Sequence, residues 1–250
     1  MSISVACLFT RTGHLKNKNS GFTLTELAIV LIIVSLLIGG MLMPLSAQQD
    51  IRNTSDTTHQ LDEIKDALVG FAVVNGYLPC PAISTINGSE DRTGDTCTGT
   101  KRKGLLPWVT LGVRPNDGWG HLFMYSVTPA FSNSGTHFSL SSGRDITIKT
   151  RDSGGSIVNL TNVNDIPVVI HSTGKNGYWS WTTDLAVQNA DSSNPNDDED
   201  TNSGTTATGK IFVSRTPTAA VSGNGEFDDL VTWISPNILY NRMISASRLP

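Results

Sequence analysis

The sequence is poor in charge and in histidine clusters, and these shortages restrict the function classes. Only 16% of the residues are charged, and the formal net charge is −4. The longest basic cluster, residues 101–103, is too short to follow a phosphate backbone, so we expect no nucleic-acid binding. The five histidines lack metal-ligand spacing, and no nucleophile elbow surrounds a serine. Ser172 beside His171 is therefore interpreted as a coincidence, and we predict no enzymatic activity.

One long apolar run stands out in this otherwise polar chain. Residues 27–45 are almost entirely apolar, and a run of roughly 19 residues can cross a bilayer as a helix. Arg11, Lys16 and Lys18 precede it, so the positive-inside rule predicts a cytoplasmic N-terminus and an extracytoplasmic remainder. The alternative is a secretory signal peptide cleaved near Ala47.

Glu26 lies near the start of this run, where a charged side chain is unfavourable and needs an explanation. A carboxylate at membrane depth costs roughly 2.5–3.5 kcal/mol. Either Glu26 reaches the headgroups, since it lies one turn into the segment, or it pairs with a charge of another subunit. Its position alone leaves both possibilities open.

The surrounding residues carry a family resemblance. The segment "GFTLTELAIVLIIVSLLIGGML" resembles the class III signal of type IV prepilins and type II secretion pseudopilins, in which a basic leader ends in Gly and Phe opens a hydrophobic helix. Thr25 departs from the pattern, since the family more often has Ile or Val there. The resemblance implies a leader over residues 1–21, cleavage by prepilin peptidase between Gly21 and Phe22, and N-methylation of Phe22.

The resemblance also gives Glu26 a role in assembly. Cleavage removes three basic residues and no acidic ones, which changes the net charge from −4 to −7. It also leaves an ammonium group on Phe22. Pairing of this amine with a carboxylate on a neighbouring helix neutralises two costly charges as subunits stack. The implied partners are prepilin peptidase, other pilin or pseudopilin subunits and an inner-membrane assembly platform.

The remaining pattern predicts an α+β fold. Residues 22–45 form the transmembrane or filament-core half of a helix, and an amphipathic stripe over residues 46–76 predicts its second half, with Gly76 as the C-cap. No Gly/Ser linker separates the two halves, which disfavours an unrelated domain on a simple anchor. The predicted class is pilin-like: a long N-terminal α-helix packed on an antiparallel β-sheet head.

Residues 77–250 form the predicted head. Pro236 after Ser235 indicates the start of a C-terminal helix. Alternating or apolar segments predict short strands, and the segment after "DGWG", which resembles a passage of the major pseudopilin, predicts another. The further predicted strands are 136–141, 145–150, 156–160, 167–171 and 210–214.

Two cysteines are expected in an oxidising space. Cys7 lies in the predicted leader, so Cys80 and Cys97 remain and are predicted to pair. A loop of this length contributes roughly 3 kcal/mol in the chain-entropy model. A zinc site is the alternative, although two cysteines without nearby histidine form a poor one.

Calcium is the one cofactor for which the sequence offers candidates. Residues 189–204 are rich in Asp, Asn and Glu but lack the EF-hand pattern, so a solvated disordered loop is the favoured interpretation. The segments "HSTGKNGYW" and "GEFDDLVTWIS" resemble elements that surround Ca²⁺ in the major pseudopilin, although the first departs from the family pattern and the insert between them is longer. A core-capping role is the alternative. The ligands that the resemblance implies are Asp228, Asp229, Ser172 and Asn176.

These observations predict a structural subunit of a type IV pilus or a type II secretion pseudopilus. Before assembly it would be a single-pass inner-membrane protein with a periplasmic head. The head resemblances favour a secretion pseudopilus, and the large head favours a minor subunit. The alternative is a monomeric, membrane-anchored periplasmic binding domain. The Gly21–Phe22 junction and Glu26 discriminate between the two, because a plain anchor needs neither.

Overall fold

The computed structural model describes residues 21–182, 187–188, 197–204, 207–219 and 225–249, with the side chains of 40–45, 187–188 and 197 outside the description. The predicted leader, apart from Gly21, and the acidic segment 189–196 therefore lie outside the described residues. The chain divides into two compact units, Met1–Ala47 and Gln48–Pro250.

The described part of the first unit is the N-terminal half of helix α1, which runs from Leu24 to Asn75. Its aliphatic side chains up to residue 39 are exposed; Leu36, for example, is 72% exposed. The predicted membrane segment, residues 22–45, extends into side chains that are not described. Among the described residues, no helix combines the length and the apolar character that crossing a membrane requires.

The second unit contains the C-terminal half of α1 and a head of short strands and helices. The helices after α1 are α2 (Trp108–Leu111), α3 (Asp197–Ser203) and α4 (Pro236–Ser245), and two 3-10 turns occupy Thr98–Thr100 and Pro129–Phe131. The strands are β1 (Arg92–Thr93), β2 (Thr96–Cys97), β3 (Lys103–Leu105), β4 (Met124–Val127), β5 (Thr147–Arg151), β6 (Ile157–Asn159), β7 (Val168–Ser172), β8 (Ser180–Trp181), β9 (Val187–Gln188), β10 (Ile211–Val213) and β11 (Leu230–Ile234).

A four-stranded antiparallel sheet, in the order β11-β7-β4-β3, forms the centre of the head. Alternate side chains of a strand point to opposite faces, so a strand that is covered on both faces contributes side chains to two cores. One face packs against the amphipathic stripe of α1 and against α4. The main contributors to this core are Leu61, Ile64, Leu68, Tyr125, Val127, Val168, Ile170, Leu239 and Met243.

A second, three-stranded sheet covers the other face of the central sheet. Its order is β10-β5-β6, with β10 parallel to β5 and β6 antiparallel to β5. Apolar side chains from this layer meet those of β7 and β11; the cluster comprises Ile146, Ile148, Ile166, Val169 and Phe212, with Val231 and Trp233 beside it. Because both faces of the central sheet are covered, all five residues of β7 are buried.

The α+β class predicted from the sequence is confirmed, with a helix followed by mainly antiparallel sheets. The prediction for residues 136–141 is wrong. They form turns, in which Phe138 stacks on Phe131 with ring centroids 4.8 Å apart, while His137 adopts a positive φ of 54°. The alternating polar and apolar pattern of these residues places Phe138 in the core, although the segment is not paired with a strand.

The end of α1 and the disulfide follow the predictions. Gly76 has φ +81° and donates its N–H to the carbonyl of Ala72 at 2.7 Å, which is a glycine C-cap. Cys80 and Cys97 are joined by a disulfide with a Cα–Cα distance of 5.4 Å. Glu90 supports this region, because its carboxylate accepts the backbone N–H of Cys80 at 3.0 Å.

Candidate functional site

The predicted cleavage junction lies immediately before α1. Gly21 and Phe22 are outside the helix and both are exposed, with Phe22 87% exposed. Among the described residues, no atom lies within 4 Å of a Cβ placed on Gly21.

Thr23 and Glu26 form a capping box at the start of α1. The Glu26 carboxylate accepts hydrogen bonds from the backbone N–H and from the hydroxyl of Thr23, both at 2.8 Å. In return, the N–H of Glu26 donates to Thr23 Oγ1 at 3.3 Å. Such reciprocal bonds satisfy backbone donors that otherwise lack partners at a helix N-terminus. Glu26 thus has a local structural role in the isolated chain, which the sequence analysis did not foresee.

Asp117 organises the "DGWGH" turn in the head. Its Oδ1 accepts the backbone N–H groups of Trp119 and His121, each at 2.9 Å, and its Oδ2 accepts the hydroxyl of Ser172. Burial raises the pKa of Asp117, while the hydrogen bonds from Ser172 and the turn oppose that shift. Ser172, a predicted calcium ligand, is thus engaged by Asp117.

The same turn lies directly against α1. The N–H of Gly118 donates to Thr57 Oγ1 at 2.9 Å. A Cβ on Gly118 would lie 2.6 Å from the carbonyl oxygen and 2.8 Å from the Cα of Asn53. Glycine is therefore needed at this position because the helix backbone occupies the space of a side chain.

Three carboxylates meet beside Asn176. Glu199, Asp228 and Asp229 can each offer one oxygen such that all three atoms lie within 4.8 Å of one another. Glu199 is 1% exposed and Asp229 is 4% exposed. Asp228 Oδ1 and Asp229 Oδ1 are buried and receive no hydrogen bond from the described part of the chain. We refer to these three residues as the acidic cluster.

The hydrogen bonds to the acidic cluster come mainly from neutral donors. Asp228 Oδ2 accepts the N–H of Asn176 at 2.8 Å, and Asp229 Oδ2 accepts the side-chain amide of Asn202 at 2.8 Å. Glu199 accepts the N–H of Asp228 at 2.8 Å and the side-chain amide of Asn176 at 3.1 Å. These donors are neutral and orient the carboxylates, while the charge of Arg215 acts on Asp229 and opposes the rise of its pKa.

Burial is the main reason why the pKa values of the acidic cluster are raised. Burial, followed by the charge of neighbouring carboxylates, raises the pKa of Glu199 to about 7 and that of Asp228 to about 6. Burial and the nearby Glu199 raise the pKa of Asp229 well above its ordinary value. A cation among the three oxygens would remove this penalty by supplying the missing positive charge.

Of the predicted calcium ligands, the structure brings Asp228 and Asp229 together in the acidic cluster. Asn176 lies beside them but directs its amide nitrogen at Glu199, and its Oδ1 accepts the N–H of Tyr178 at 3.0 Å. Glu199 was missed, because it lies in the acidic insert that was interpreted as a solvated loop. Residues 197–203 of that insert are instead the partly buried helix α3.

A buried serine–histidine pair lies near this region without the features of a catalytic one. His171 Nε2 and Ser203 Oγ are 2.7 Å apart. His171 Nδ1 has no hydrogen-bond partner among the described residues, so no third group orients the imidazole. Burial, with the charge of Lys103, lowers the pKa of His171 to about 3. The imidazole is thus a neutral core group.

Residues 16–42 match the family model of the prokaryotic N-terminal methylation motif. No curated protein matches the chain, and no solved structure does. The matched segment contains the exposed Gly21–Phe22 junction and the Thr23–Glu26 capping box. This protein therefore carries the class III signal of type IV pilins and pseudopilins, the signal for prepilin-type processing.

Proposed function

We propose that this protein is a structural subunit of a type IV pilus or a type II secretion pseudopilus. Prepilin peptidase would cut between Gly21 and Phe22, after which α1 enters the filament core and the head is displayed outside. The observation that carries the proposal is the methylation motif over residues 16–42, and the exposed aliphatic side chains of the first half of α1 support it. Such a surface is stable only when lipid or other subunits cover it.

Glu26 supports the assembly step. In the isolated chain its carboxylate is already directed at the backbone of Thr23, the residue after Phe22. Cleavage would add the ammonium group of Phe22 next to that backbone. The carboxylate could then pair with its own N-terminus or with that of a neighbour, and pairing with a neighbour would fix the stagger between subunits.

The test is to co-express the full chain with prepilin peptidase and an assembly platform. We expect mass spectrometry to find a mature N-terminus at Phe22, methylated, in protein recovered from sheared filaments. Gly21→Val would keep the leader and prevent recovery in filaments. A mature chain that starts at another residue, or a processed chain that never enters filaments, would contradict the proposal. The second result would favour the monomeric, membrane-anchored binding domain.

We also propose that the head binds Ca²⁺ at the acidic cluster, held by Glu199, Asp228 and Asp229. Calcium takes six to eight oxygen ligands at about 2.3–2.6 Å, so ligand oxygens across the ion lie up to about 5 Å apart. The three oxygens of the acidic cluster lie within 4.8 Å of one another, which is inside that span. Asp228 Oδ1 and Asp229 Oδ1 are buried without a hydrogen-bond donor among the described residues, so a bound cation would offset the cost of their burial. When bound, the ion would add positive charge to that of Arg215, which already acts on Asp229.

A further inference from the structure

The second sheet has an edge that is closed by a side chain instead of a strand. Asn202 of α3 is fully buried, and its Oδ1 accepts the N–H of Val213 at 2.7 Å while its Nδ2 donates to the carbonyl of Val213 at 3.0 Å. These are the two bonds that a neighbouring strand would make. We call the outward backbone of β10 at Val213 the β10 edge. Helix α3 therefore hides a pairing site of the kind that promotes association between chains.

Helix α3 has no apolar side chain that could pack against the β10 edge. Its sequence is DDEDTNS, seven residues without an aliphatic or aromatic side chain. A helix this short is not stable alone in water. Its position over the β10 edge must therefore come from its polar contacts. The C-terminal end of α3 is fixed by Lys103, whose Nζ donates to the carbonyls of Ser203 and Gly204, and by the bond between His171 and Ser203.

The acidic side chains Asp198 and Glu199 of α3 differ in how their charge is balanced. Asp198 is balanced, because it pairs with Arg151 and Arg215, each at 2.7 Å. Glu199 is not balanced in this way. Within the described residues, the groups that bond to it are the amide of Asn176 and the N–H of Asp228, and it faces Asp228 and Asp229. Docking α3 thus drives a third carboxylate into a buried acidic site.

We propose that a divalent cation bound by Glu199, Asp228 and Asp229 is what holds α3 on the β10 edge, so that α3 is a cation-dependent cover for that edge. The inference rests on the proposed calcium site and adds a consequence to it. With the cation, Glu199 is drawn into the acidic cluster and Asn202 is positioned on Val213. Without it, repulsion among the three carboxylates releases α3 and opens the β10 edge.

Hydrogen exchange measured on the full processed chain in detergent tests this inference. The N–H of Val213 donates to Asn202 and so reports directly on the cover, whereas the N–H groups of β7 lie in the central sheet. On transfer from Ca²⁺ to a chelator, we expect exchange at Val213 to accelerate about tenfold or more while β7 remains protected. Glu199→Gln removes one ligand and also the repulsion, so exchange at Val213 should be the same with Ca²⁺ and with a chelator. Glu63→Gln, which removes an exposed carboxylate of α1, should behave as wild type.

Calorimetric titration with Ca²⁺ separates the possible failures. If Ca²⁺ binds but exchange at Val213 is the same with and without it, the cover is wrong and the calcium site stands. If Ca²⁺ does not bind, both the site and the cover are wrong, while the filament proposal is unaffected. Asn202→Ala provides a further check: it removes the acceptor of the Val213 N–H, so exchange at Val213 should be fast in both conditions.

Discussion

At the scale of single residues, Gly118 sets how closely the "DGWGH" turn approaches α1. The contact is between a backbone and a backbone, so neither side can move a flexible side chain out of the way. The motif is thus explained by packing and hydrogen bonding: glycine for the approach and Asp117 for the turn. Its resemblance to a pseudopilin passage has a physical cause in this chain.

Gly118→Ala should destabilise the head. The new methyl group would lie 2.6 Å from the carbonyl oxygen of Asn53, and such overpacking typically costs about 1–3 kcal/mol. Urea unfolding followed by circular dichroism measures the loss as a lower midpoint. Gly143→Ala is the matched control, since nothing within 4 Å would meet its Cβ. Equal midpoints for the two variants would contradict the close approach.

His171 should make the protein less stable in acid. Burial and Lys103 lower its pKa from 6.5 to about 3 in the folded chain, so the unfolded chain binds the proton more tightly. Stability from the neutral imidazole is fully present above pH 6.5 and is lost as the pH falls toward 3.

The measurement compares wild type with His171→Gln, whose amide can still reach Ser203. The difference in their free energies of unfolding should change by about 1.4 kcal/mol per pH unit within that window, to the disadvantage of wild type. The comparison cancels the opposite trend of the buried carboxylates, which both proteins share. A difference that does not vary with pH would show that the imidazole is not held neutral.

At the scale of elements, the start of α1 combines two roles in one carboxylate. As a helix cap, Glu26 needs only an oxygen that accepts hydrogen bonds; as a partner for an ammonium group, it needs a charge. Glutamine preserves the first and removes the second.

Glu26→Gln should therefore be cleaved normally but fail to assemble. Glu26→Ala should also fail, and Thr23→Ala should assemble, because it breaks the capping box while keeping the charge. Cleavage is measured by mass spectrometry and assembly by recovery in sheared filaments. Normal assembly of Glu26→Gln together with failure of Thr23→Ala would assign Glu26 to capping alone.

The elements that could be predicted from sequence are those with a repeating apolar pattern. β5, β6, β7 and β10 lie within or overlap the predicted strands, and the stripe of α1 holds Leu61, Ile64 and Leu68 in the core. Helix α3 could not be predicted, since its contacts are buried polar pairs with residues far along the chain. For the same reason Glu199 was missed: its partner Asp228 is 29 residues away.

At the scale of the whole molecule, calcium binding should appear as added stability. A ligand at a hundredfold excess over its Kd contributes about 2.7 kcal/mol, which raises the Tm of a chain this size by roughly 5–10 °C. Thermal melting with Ca²⁺ and with a chelator measures the shift. Asp228→Asn should abolish it, whereas Asp62→Asn, on the exposed face of α1, should leave it intact. A wild-type Tm that is the same with Ca²⁺ and with a chelator would exclude the site.

The burial of β7 on both sides has a consequence for attempts to simplify the head. Val168 and Ile170 belong to the core beneath α1, while Val169 between them belongs to the core beneath the second sheet. A truncated version that lacks β5, β6 and β10 would expose Val169, Val231 and Trp233 to water, and this apolar surface would promote aggregation. Any minimal soluble domain carved from this protein must therefore keep all three layers together.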